Sequence, residues 1–185
     1  MAERKRIPVW QEDIPRATGV IPDPEGGEET ECDCPRLDAA DWHETESDWS
    51  DITFVRGAVS AVFGVPMNYV SVGAKLRVRA ASLGATVPDD AMLLMGAGKF
   101  RRPVLLELEG VPRGARGIER PGGVVYSRLV PAPLGEMKKA VAETELKARV
   151  KYGRTPDATW LWYLTCKVCS RDRNFETLIL VHYPA

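Results

Sequence analysis

The run Ala158-Thr-Trp-Leu-Trp-Tyr-Leu-Thr-Cys-Lys-Val-Cys169, followed after a polar turn by Asn174-Phe-Glu-Thr-Leu-Ile-Leu-Val-His-Tyr183, decides how this chain is read. Both segments are rich in β-branched and aromatic residues and flank a turn carrying Cys166 and Cys169, which predicts a long β-hairpin. Side chains alternate along a strand, so Trp160, Trp162 and Leu164 share one face and Leu161, Tyr163 and Thr165 the other. On the return strand Phe175, Thr177, Ile179, Val181 and Tyr183 alternate with Glu176, Leu178, Leu180 and His182. Both faces are largely apolar. One should be core, and the other a lined cavity or a helix contact.

Upstream of this hairpin the text is regular back to Ile52. Ile52 to Phe63 reads as a strand or bent strand pair, and Val65-Pro66-Met67 ends it. Asn68 then suits a helix N-cap, and Val72, Leu76, Ala80 and Leu83 recur at helical spacing until Gly84. Ala91–Met95 and Pro103–Glu109 make a strand pair, and the Gly- and Pro-rich stretch 111–123 links to the next part. There the order repeats: a strand over Val124–Val130, a helix over Leu134–Val150, then the hairpin. Two β-α-β-β halves, 52–110 and 122–185, predict an α+β domain with an antiparallel sheet backed by two helices.

Residues 1–51 read differently. Prolines, glycines and acids predict an irregular arm, with Ile7, Val9, Trp10 and Ile14 as anchors and Trp42 and Trp49 in a loop plated onto the core. Between Asp23 and Asp51 stand twelve acids against one base, Arg36; from Ile52 to Arg154 there are seventeen bases against eight acids. That asymmetry suits an acidic arm docked on a basic body, although exposed pairs contribute little.

A length of 185 residues allows one sizeable domain or two halves sharing a core, and the formal net charge is −1. No apolar run spans a bilayer and the N-terminus lacks a secretory pattern, so the expected setting is cytoplasmic, without membrane contact. No cluster of bases with interleaved aromatics points to nucleic acid. The expected partner is a small-molecule ligand, and the chain is expected to be a monomer or a homodimer. Gly96-x-Gly98-Lys99 precedes a strand, so it is no phosphate loop, and no serine has the context of a nucleophile elbow.

In a reducing compartment, cysteines in close pairs suit metal ligation or redox work better than structural disulfides. Cys166-x-x-Cys169 is a standard half of a tetrathiolate zinc site, and Cys32-x-Cys34, stiffened by Pro35, would supply the other. The pairs fit a structural Zn²⁺, a disulfide or redox pair, or free thiols. As a zinc site they would clasp the arm to the final hairpin. His43 is a further ligand candidate, against simple exposure.

Glu107 stands in the Leu-rich run Leu105-Leu106-Glu107-Leu108. Buried, it would be pushed toward general-base behaviour; the alternative places it with Glu109 on a solvated face. Trp160, Trp162, Tyr163, Tyr126 and Tyr183 could line a pocket for a flat or cationic ligand, against a plain core role, and His182 could be a base there. Glu176 reads as exposed.

The duplicated β-α-β-β order resembles the GyrI-like small-molecule-binding superfamily. Cys32-Asp-Cys34-Pro35, Asp41-Trp42-His43, Asp48-Trp49-Ser50 and Thr165-Cys166-Lys167-Val168-Cys169 are similar to an uncharacterised prokaryotic family with CDCP and TTCPKC signatures, often labelled "hydrolase". The resemblance spans roughly Cys32 to Tyr183. It implies an inter-half cavity and hydrolysis of strained electrophilic compounds by an acid among aromatics. The stretch matching the superfamily's acid-bearing strand is Trp160–Tyr163, which holds no acid, so the resemblance turns to Glu107. The expectation is therefore binding, with hydrolysis, of a small hydrophobic or electrophilic compound. The alternatives are a non-catalytic binding protein and a thiol-based metal or redox protein.

Overall fold

The structure, a computed structural model, describes residues 32–62, 65–112, 114–133 and 135–185. Expectations for residues 1–31, including the anchors Ile7, Val9, Trp10 and Ile14, and for Phe63 and Leu134, lie outside the described residues. In chain order the elements are α1 (Ala39–Trp42), β1 (Thr45–Asp48), β2 (Thr53–Val62), β3 (Val65–Pro66), α2 (Tyr69–Ser82), β4 (Leu93–Gly96), β5 (Arg101–Leu108), β6 (Ile118–Glu119), β7 (Val124–Pro131), α3 (Met137–Tyr152), β8 (Ala158–Tyr163) and β9 (Glu176–Tyr183). All strand pairs are antiparallel, and the sheet curls into a half-barrel in the order β1-β7-β9-β8-β4-β5-β2-β3, with β6 also on β2.

This order explains the doubling. In the first half β5 lies between β2 and β4; in the second β9 lies between β7 and β8. The flanking strands of each trio are therefore parallel to each other. A connection between parallel strands of one sheet must cross over it, as α2 does from the β2–β3 end to β4 and α3 from β7 to β8. The halves meet at β4 and β8 through two register pairs, Met95 with Leu161 and Gly96 with Trp160. Gly96 is required here. A Cβ on it would come 2.7 Å from Pro103 Cγ and 2.9 Å from Trp160 Cζ3, so only glycine lets the indole lie across the joint.

Strand alternation splits the core in two. Toward the helices, α2 packs Val72, Leu76 and Ala80 onto Val55, Val59, Met95, Val104 and Leu106. Beside it α3 packs Met137 and Ala148 onto Tyr126, Val130, Leu161, Ile179, Val181 and Tyr183. Asn68 does precede α2, but its side chain makes no cap; Asn68 Oδ1 accepts the Ser60 amide instead (3.0 Å), joining the helix start to β2. Gly153, at φ 64°, ends α3 in the left-handed conformation.

The other, concave face collects Phe54, Leu94, Leu105, Trp162, Leu164, Leu178, Leu180, Val125 and Leu129. The arm covers it. Leu37, Trp42 and Trp49 all belong to this cluster, so the expectation of tryptophans plated onto the core holds. The described part of the arm is more regular than the sequence suggests, since α1 forms behind an Asp38 N-cap and β1 joins the sheet edge on β7. Its acids do dock on basic residues: Glu44 pairs with Lys147, and Glu46 with Lys151 (3.0 Å) and the Tyr152 hydroxyl. Among the described residues no helix is long and apolar enough to cross a membrane.

Candidate functional site

The four cysteines meet. Sγ of Cys32, Cys34, Cys166 and Cys169 all lie within 4.8 Å of one another, although 132 positions separate Cys34 from Cys166. Sulfurs 2.3 Å from one tetrahedral ion would stand ~3.8 Å apart, so a contraction of an ångström or less would close the site. None of the four is in a disulfide.

The loop between β8 and β9 explains how two of them are presented. It spans 164–175, longer than a tight turn, and winds back through helix-like hydrogen bonds from Ser170 N–H to Cys166 O and from Arg173 N–H to Cys169 O. Asn174 and Phe175 then take positive φ values of 47° and 55°, which reverses the chain into β9. Inside this coil burial pushes the Cys166 thiol up. The N–H groups of Cys169 and Val168, with thiol contacts from Cys34 and Cys169, outweigh that and bring it down to about 7. Burial and the neighbouring thiols push Cys34 upward. Burial likewise raises Cys32, partly countered by the Cys34 N–H. Amides aimed at sulfur stabilise thiolates, and crowded thiols resist ionising together without a cation. This donor set therefore fits a tetrathiolate metal.

A second tie was not visible in the sequence. Arg173, in the loop, donates to Leu164 O (2.9 Å) and Pro35 O (2.8 Å) and pairs with Glu176. It fastens the residue after Cys34 to the hairpin without any metal. Nothing in the run Arg171-Asp172-Arg173 marks the second arginine over the first. Glu176, expected to be exposed, is half-buried by this pair.

Glu107 faces the concave side, opposite Phe54 across the β2–β5 pair, so the reading with a solvated face does not hold. It is 4% exposed, and among the described residues it is the only carboxylate in the buried set. Its Oε2 accepts the Met92 amide (3.2 Å), and its own amide donates to Met92 O (3.0 Å). Met92, Glu107 and Phe54 follow one another across the strands, as the pairs Leu93–Leu106 and Phe54–Glu107 require. Strand β8, antiparallel to β4, ends at Tyr163 on that side of the sheet. Cys166 is two residues beyond Leu164. The thiol cluster and Glu107 thus share one end of the half-barrel.

The aromatic set does not share one wall. Trp160 and Trp162 are on the concave face, with Trp162 edge-on to Trp42 at 6.3 Å. Tyr126 and Tyr183 lie on the helix side under α3, and Tyr163 packs there against Tyr69. His182 is concave and buried, 5.9 Å from the Trp49 ring; its Nε2 donates to Gly122 O (2.9 Å) and its Nδ1 is 3.7 Å from Asp157. His43 is not among the clustered ligands, because its Nδ1 donates to Leu129 O (2.7 Å).

The concave face thus carries a buried carboxylate, Glu107, opposite Phe54, and the indoles of Trp160 and Trp162, while the four thiols converge at the loop that follows β8. No curated protein matches this chain. The family described as "Bacterial hydrolase" matches residues 25–182, a span that takes in both halves, all four cysteines and Glu107. The chain therefore belongs to the bacterial hydrolase family.

Proposed function

We propose that this protein hydrolyses a small hydrophobic, electrophilic compound held against the concave face of the sheet, with Glu107 as general base. The observation that carries the reading is Glu107 itself, the buried carboxylate set in an apolar cluster within a family of hydrolases. In the step proposed, the Glu107 carboxylate takes a proton from water and the water oxygen bonds to the electrophilic carbon. The carbon–oxygen bond to the leaving oxygen breaks, and that oxygen receives the proton. Trp160 and Trp162, on the same face, would hold the apolar body of the substrate and exclude bulk water. Tyr163, Tyr126 and Tyr183 would shape the site from behind, through the strands they share with the concave residues.

The doubled trio of strands around a two-fold joint supports placing the chain in the GyrI-like superfamily. Cys32, Cys34, Cys166 and Cys169 would hold a structural Zn²⁺, which closes the fold and takes no part in the chemistry. The setting would be the reducing cytoplasm, where such thiols persist. A freely reactive redox pair fits less well, because Cys169 is only 2% exposed.

The test is turnover of aryl epoxides and aryl esters by the native chain and by Glu107→Gln. Removing a general base should lower the rate by ~10²–10⁴ with the fold intact. Equal turnover by the two proteins would dismiss Glu107 from the mechanism.

A further inference from the structure

We propose that the compound held on the concave face carries a planar aromatic carboxylate as its tail. The ring lies against the Trp160 indole, over Gly96, Pro103 and Ala58, and the carboxylate meets Arg101 and Arg56. The inference rests on reading the concave face as the substrate site, and it names the class of substrate.

Trp160, Gly96, Pro103 and Ala58 form one row across the sheet. Gly96 pairs with Trp160 at the joint between the halves, and Ala58 pairs with Pro103 in the β2–β5 ladder. Met95 pairs with Val104, so Gly96 and Pro103 stand on the next rung. Contacts fix the face. A Cβ on Gly96 would meet both Pro103 and the benzo edge of the indole (Cζ3 and Cε3), so these residues point to the same, concave side. Gly57 and Val59 face the other way, toward Leu76 of α2, which leaves Ala58 on the concave side. The next row toward Glu107 holds Leu94, Leu105 and Trp162, all buried. This row is open: Trp160, Pro103 and Ala58 are each half-buried. Because Gly96, Pro103 and Ala58 add little bulk, the row is a shallow groove with the indole as its wall.

Charge selects what the groove takes. Alternation along β5 and β2 sets Arg101 beside Pro103 and Arg56 beside Ala58 on this face, each one two-residue step (~6.6 Å) away and on opposite sides of the row. Arg101 is exposed and forms no ion pair with a described residue. Arg56 pairs with Glu119 (2.7 Å), yet 55% of its side chain stays exposed. Neither β2 nor the hairpin 93–106 contains an acid. Three strand spacings, ~14 Å, separate the backbones of Trp160 and Ala58. A two-ring aromatic on the indole, with a carboxylate reaching a guanidinium, fills that span. The planar donor fork of arginine matches a carboxylate, whereas a cation would be repelled here. Glu107 lies four residues along β5 from Pro103, ~13 Å away, so the groove holds the tail and leaves the electrophilic end of the substrate to Glu107.

The experiment titrates the full, reduced native chain with naphthoate and with its neutral counterpart naphthamide, by calorimetry at low salt. Naphthoate should bind ~5-fold or more tightly than naphthamide, and the preference should fade at high salt. Arg101→Gln should cut that preference ~2-fold or more, and Arg101→Glu should abolish it. Arg101 is exposed, so both variants keep the fold, which circular dichroism checks. Trp160→Ala should weaken both ligands alike, since the ring contact is common to them. Equal binding of the two by the native chain would overturn the inference. So would a failure of both to bind at millimolar concentration, or a preference left intact by Arg101→Glu. A chain that prefers naphthoate but turns over no aryl ester or epoxide rejects only the catalytic role of Glu107. One that turns them over without the preference rejects only the anionic tail.

Discussion

Replacing Trp49 with alanine tests whether the arm is a structural part of the domain. The indole is 1% exposed and lies 5.2 Å from the Phe54 ring and 5.9 Å from that of His182, residues from the two halves of the sheet. A buried aromatic of this size removes ~150–250 Å² from water, which at ~25 cal/mol per Å² is worth about 4–6 kcal/mol. Alanine recovers part of that and the walls relax only partially, so the expected loss is ~3–5 kcal/mol. For a chain of this length that corresponds to a fall in Tm of ~6–20 °C. Urea unfolding followed by circular dichroism measures the loss, with Trp160→Ala, a half-buried ring on the same face, as the milder comparison. The backbone bond from Trp49 N–H to Gly123 O survives the change, so the effect isolates the ring. A loss below ~1 kcal/mol would refute the reasoning, because an indole joining both halves could not then be part of the core.

Gly96→Ala should cost ~1–3 kcal/mol, as the new methyl meets Pro103 and Trp160 below 3 Å; a neutral result in thermal melts would mean that the joint between the halves is loose. Glu46→Gln should show a pH-dependent defect. The Tyr152 hydroxyl, then Lys151, hold the Glu46 carboxyl below its ordinary 4.5. A depressed carboxyl adds stability above its unfolded value and loses it as pH falls through the folded one. The variant should therefore be less stable than the native chain at pH 7, with the gap closing well below pH 4.5 in urea midpoints. A gap independent of pH would contradict that pairing.

The elements that could be read from the sequence are those in which burial and periodicity agree. The Trp160–Tyr163 and Thr177–Tyr183 alternation is visible because both faces of β8 and β9 are buried, and the helices because Val72, Leu76 and Ala80 meet the sheet. The cysteine pairs announced themselves by spacing, but their convergence depends on the fold carrying the arm across the sheet. Strand β1 was hidden because Thr45-Glu-Ser-Asp48 is polar; it earns its place by edge pairing and by placing Glu46 on α3, effects that no local hydrophobic pattern reports. The five aromatics could not be sorted into one pocket or two from their types. Alternation separates neighbours along one strand, yet only the sheet order puts Tyr126 and Tyr183 under α3 and Trp160 and Trp162 on the opposite face. For Glu107 the sequence left two faces open, and register with Phe54 decided it.

The most direct test of this account is metal analysis combined with thiol titration of the native, reduced chain. The account predicts one zinc per chain and four thiols protected until a chelator is added, as the convergence of Cys32, Cys34, Cys166 and Cys169 requires. A metal-free chain whose four thiols all react at once would contradict it.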